Sequence, residues 1–113
     1  MDVKGFVVQL LDALTSTGQF RNVSLQTEGP IVSGRVYVHG SPDQFLRVYF
    51  NEMTGTIAFA LVSKQQRIWG IDFDNRRGWH VHPVENPSEH VAIDPLTIPE
   101  IVSLLHSVLS SAK

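Results

Sequence analysis

Between residues 29 and 93 no stretch is long enough to carry the chain across a sheet and back in the same direction, and that absence fixes most of the fold. A parallel strand pair needs a crossover of about a dozen residues or more. Here the alternating segments are separated only by short turn sequences: Gly29-Pro30, Gly40-Ser41-Pro42-Asp43, Thr54-Gly55 and Asn75-Arg76-Arg77-Gly78. Sequential antiparallel pairing follows. Rossmann and P-loop architectures are excluded on the same ground, and no glycine-rich phosphate fingerprint is present.

The candidate strands are 22–28, 31–39, 44–51, 56–63, 67–73, 79–83 and 89–93, each rich in valine, isoleucine or aromatic residues. Alternation sorts them by face. Val32, Val36 and Val38 alternate with Ser33, Arg35, Tyr37 and His39, and Leu46, Val48 and Phe50 with Arg47 and Tyr49. Trp69, Ile71 and Phe73 alternate with Gly70 and Asp72, and Trp79 and Val81 with His80 and His82. Segment 56–63, TIAFALVS, is apolar on both faces and belongs at the centre of the sheet. Trp69 and Trp79 suggest an aromatic cross-strand pair in the core.

Both ends of the chain have helical period. Val3, Val7, Leu10 and Leu14 mark one stripe, with Asp2 to cap its start and Gly18 to end it, so a helix is predicted over about 3–15. Thr97 and Glu100 form a capping box, Leu96 and Ile101 a hydrophobic staple, and Pro99 sits in the first turn. Ile98, Ile101, Val102, Leu105, Val108 and Leu109 then give that second helix one apolar face. The expected architecture is α+β, an antiparallel meander with the N-terminal and C-terminal helices packed on one face.

A length of 113 residues without repeats or linkers suits a single domain, 1–113. Hydrophobic residues at 42% and charged residues at 18% exclude a disordered chain. A net charge of −2 excludes a scaffold that holds duplex DNA by its global field, leaving local patches. With no cysteine there are no disulfides, thiolate metal sites or cysteine nucleophiles, which fits a reducing cytoplasm. MDVKGFVVQLLDAL is interrupted by Asp12 and lacks a small-residue cleavage site, so it reads poorly as a signal peptide. No apolar run approaches the roughly 20 residues that cross a bilayer. A soluble, cytoplasmic protein with no membrane partner is expected.

One constellation can carry chemistry. Asp72, Asp74, His80, His82 and His90 fall within 19 residues, in GIDFDNRRGWHVHPVENPSEH. Asp72 and Asp74 share a face because they are two apart, His80 and His82 share one for the same reason, and the turn 75–78 can bring the pairs together. Imidazole and carboxylate suit zinc, manganese or iron, so Asp72, His80, His82 and His90 are candidate metal ligands for a divalent ion, the only cofactor the sequence suggests. The same residues also fit a solvated surface. A metal-free chemistry uses the same side: His80 and His82 as general acid and base, Arg47 against developing phosphoryl charge, and Arg35, Tyr37, His39 and Tyr49 contacting single-stranded RNA. Arg67, Arg76 and Arg77 form a small basic patch that reads as a solvated turn.

The segment Ile68–His90, with its aspartate-bearing strand end, Trp79-His80-x-His82-Pro83 and later His90, followed by a short terminal helix, resembles small toxin proteins of the TumE-like group. That resemblance implies a compact α+β protein with an antitoxin partner, and functional positions at His80, His82 and His90. The expectation is a toxin-like or RNA-processing protein. The alternatives are a metal-binding accessory protein and a non-catalytic interaction module, and the two open sheet edges offer a homodimer.

Overall fold

The computed structural model describes residues 1–111. Helix α1 (Val3–Thr17) leads into seven strands: β1 (Phe20–Glu28), β2 (Ile31–Val38), β3 (Gln44–Asn51), β4 (Ile57–Ser63), β5 (Gln66–Asp74), β6 (Gly78–His82) and β7 (Val91–Ala92). Helix α2 (Ile98–Ser111) follows. The strands lie in one sheet in chain order, every neighbour antiparallel, as short turns demand. No helix among the described residues is long and apolar enough to cross a membrane.

Local chemistry sets the helix limits. Asp2 accepts a 2.7 Å hydrogen bond from the Gly5 N–H, and Gly18 closes α1 in the left-handed conformation at φ 67°. At α2 the Thr97 N–H donates to Glu100 Oε1 at 2.9 Å while the Glu100 N–H donates to Thr97 Oγ1 at 3.3 Å. Both helices bury their apolar stripes against one sheet face. Phe6, Leu10 and Leu14 join Ile98, Ile101, Val102, Leu105 and Leu109 in a single core with Val32, Val36, Leu46, Val48, Phe50, Phe59, Leu61 and Ile71. Phe6 stacks on Phe50 with ring centroids 4.6 Å apart, which ties α1 to the middle of the sheet.

Three departures from the expected pattern have physical causes. Strand β1 starts at Phe20 because a bulge between Arg21 and Val23 places Asn22 at φ 53°, a conformation asparagine tolerates. Strand β7 shrinks from 89–93 to Val91–Ala92, since the preceding loop folds over β6. The core partner of Trp79 is Phe73, not Trp69, with rings 5.2 Å apart, because register pairs Phe73 with Trp79.

Register across the other face positions the site. One ladder runs Ser33, Tyr49, Ala58, Asp72, His80, Ala92 from β2 to β7. The adjacent ladder runs Arg35, Arg47, Ala60, Gly70, His82 from β2 to β6. Arginines stand at one end, histidines at the other, and small residues form the floor between them.

Candidate metal centre

The histidines do not face solvent as a surface pair would. His82 is 1% exposed and His80 4% exposed, on a face otherwise open over much of its area. Burial comes from the segment after β6: Pro87 places its carbonyl 3.0 Å from His82 Nδ1, and His90 lays its ring against both others. Gly70 makes room for this, because a Cβ there would fall 2.9 Å from the Phe59 carbonyl and 3.6 Å from His82 Cδ2.

Asp72 lies directly opposite His80 in register, and its Oδ2 is 2.9 Å from His82 Nε2 and 3.3 Å from His80 Nε2. The ring centroids of His80, His82 and His90 are 5.2, 5.1 and 4.4 Å apart. One ring nitrogen from each histidine lies within 4.8 Å of the other two, so the cluster can coordinate a metal ion. Tetrahedral bonds of about 2.0–2.1 Å place ligand atoms about 3.3 Å apart and imidazole centroids about 5 Å apart. The observed centroid spacings of 5.2, 5.1 and 4.4 Å are close to the second of those values.

Hydrogen-bond accounting sharpens this. Both nitrogens of His82 face acceptors, the Pro87 carbonyl and the Asp72 carboxylate. Without an ion, satisfying both contacts requires an additional proton between His82 Nε2 and Asp72. With an ion, Nδ1–H donates to Pro87 and the Nε2 lone pair is free to ligate, the usual way a backbone carbonyl fixes the tautomer of a ligating histidine. His80 Nδ1 is buried and has no hydrogen-bond partner. A buried polar atom of that kind calls for a functional explanation. Partial desolvation at the cluster, and repulsion by His82 and His80, hold His90 below its ordinary value of 6.5 and favour its neutral, ligating form.

The remaining candidates divide. Arg35, Arg47 and Tyr49 share an open groove of about 640 Å³ with Asp72 and His80. Tyr37 and His39 lie outside it: Tyr37 packs on Phe45, and His39 Nδ1 is 3.3 Å from Arg21 Nη1. Asp74, the last residue of β5, bonds to the turn that follows it, whereas the histidines pair with Asp72. Its Oδ1 accepts from the Arg77 N–H at 2.7 Å and the Arg76 N–H at 2.9 Å, and these bonds hold its carboxyl below the ordinary carboxylate value.

Sequence reasoning missed Arg67 as part of this groove. Simple alternation puts it on the Trp69 face, but Leu61 pairs with Trp69 while Val62 pairs with Arg67, so Ile68 is the extra residue of a bulge. The bulge turns Arg67 onto the groove side, where its Nη2 donates to the Pro87 carbonyl at 3.2 Å. Arg77, read from sequence as part of a solvated turn, also lines the groove. No family model, curated protein or solved structure matches the chain. Fold and site together define an α+β meander domain with a tris-histidine cluster on its uncovered face.

Proposed function

We propose that this domain binds one divalent transition-metal ion through His80, His82 and His90, with Asp72 completing an N3O set. The observation that carries the reading is the placement of His82 between the Pro87 carbonyl and Asp72, beside the other two rings. Three imidazoles and one carboxylate favour zinc, cobalt or nickel over magnesium or calcium, which prefer oxygen. His90, the exposed member, is the side from which an ion enters.

The test is calorimetric titration of the chelator-stripped protein with Zn²⁺, repeated on His90→Ala and His82→Ala. His90→Ala is the cleaner variant, because that ring is exposed and its loss leaves the core intact. One ion per chain, weakened by at least about tenfold in His90→Ala, is the expected result. Absence of binding in the wild type, or binding in both variants as tight as in the wild type, would overturn it.

A further inference from the structure

Arg35 and Arg47 are direct cross-strand partners on the uncovered face, and neither has a carboxylate within ion-pair distance among the described residues. Like charges placed opposite one another destabilise a sheet. Each could have been relieved by a glutamate on a neighbouring strand, yet the next residue in that ladder is Ala60. The Arg35 guanidinium carbon lies 4.4 Å from the Phe45 ring centroid, a cation–π contact that steadies the group but supplies no counter-charge.

The groove beyond them extends this pattern. Arg67 and Arg77 line the same groove from the β5–β6 side, so four of the nine lysines and arginines of the chain converge on one trough. The two acids lining it are already engaged, Asp72 by His80 and His82, and Asp74 by the backbone N–H groups of Arg76 and Arg77. Ala58 and Ala60 keep the floor low, and Tyr49 offers an aromatic wall beside it. Three strand spacings, about 14 Å, separate the Arg47 backbone from that of His82, a span that arginine side chains from one end and a mid-sized ligand can fill.

We propose that this trough is a binding site for a phosphate ester, with the phosphate held between Arg35 and Arg47 and the organic part lying over Ala58 and Ala60 against Tyr49. Planar guanidinium groups match phosphate oxygens in bidentate fashion, and two of them facing one another suit a single tetrahedral anion. The site adjoins the proposed metal centre, but its arginines stand independently of it. A free nucleotide and a single-stranded oligonucleotide present the same phosphate ester chemistry, and both are tested.

The experiment measures binding of AMP and of a fluorescein-labelled single-stranded oligoribonucleotide to wild type, Arg47→Ala and Arg21→Ala, each with and without EDTA. Arg21 lies at the far edge by His39 and removes the same charge outside the groove. The expected result is binding that weakens roughly tenfold in Arg47→Ala, changes less than about twofold in Arg21→Ala, and survives EDTA. Arg47→Ala should keep the wild-type fold and melt no lower than wild type, since the substitution removes a repulsion. Binding of AMP identifies a free nucleotide as a sufficient ligand, and binding of the oligonucleotide alone identifies a strand. Failure of both ligands to bind overturns the proposal, as does equal weakening in the two variants. Loss on EDTA alone, with Arg47→Ala unchanged, would assign the anion to the metal centre and overturn the arginine site while leaving the metal reading intact.

Discussion

The two faces of the sheet obey the same two-residue period and yet carry information differently. On the covered face, buried apolar residues from four strands meet both helices, and a two-residue slip between neighbouring strands would still set apolar side chains against apolar ones. On the open face the same two-residue slip, which keeps every residue on its own side, would separate Asp72 from His80 or Arg35 from Arg47. The lesson is that a core tolerates approximate pairing, whereas a polar site depends on which residue stands opposite which.

The largest expected effect therefore belongs to the covered face. Leu105→Ala, at a fully buried position of α2, should cost about 2–5 kcal/mol through the cavity it leaves. Denaturant titration checks this, and the folded fraction of the variant should still bind zinc with unchanged affinity. A change in metal affinity as large as the change in stability would dissolve the distinction between the faces.

Gly34→Ala breaks the fold from the sheet itself, because a Cβ there overlaps the Ser24 carbonyl oxygen. It should destabilise by about 1–3 kcal/mol, the usual cost of overpacking, by the same denaturant measurement. Asp72→Asn should do the reverse of Leu105→Ala. It keeps the shape of the open face but removes the carboxylate, and should weaken zinc binding about 10–100-fold. Calorimetry on the refolded variant reads that loss directly.

Acid should act on the open face before it acts on the core. Zinc must displace protons from imidazoles, so its affinity should fall as pH is lowered through the histidine range. In the metal-free protein, the unfolded chain binds more protons than the folded one at pH just below 6.5, because His90 is held below that value when folded. Its contribution to stability is thus present above pH 6.5 and declines as pH falls toward the lower folded value. Comparing the pH dependence of denaturant midpoints for wild type and His90→Ala isolates this slope, which should flatten in the variant. The smallest effect is Arg47→Ala, expected to raise stability by a few tenths of a kcal/mol by relieving Arg35.

Much of the fold was legible because its signals are local. The Thr97–Glu100 capping box, Gly18 at the end of α1 and the short turns each act within a few residues. Placing β4 at the centre followed from its two apolar faces, and it is the fourth of seven strands. The candidate site was legible only in part. Convergence of His80 and His82 with Asp72 was readable from one hairpin, because the turn 75–78 fixes their register. Whether His90 joined them depended on the path of the loop around Pro87, which no periodicity encodes. Arg67 was misplaced by the bulge at Ile68, and His39 was assigned to the site by face alone, although it lies in the turn just past the end of β2.

The central claim is that three of the five histidines form one metal-binding unit. Its most direct test is a long-range proton–nitrogen correlation spectrum of the histidine rings, recorded during titration with Zn²⁺. His80, His82 and His90 should shift together and saturate at one equivalent, with His82 Nδ1 retaining the proton it donates to Pro87, while His39 and His106 stay in place. Rings that do not respond, or all five shifting alike without saturation, would contradict it.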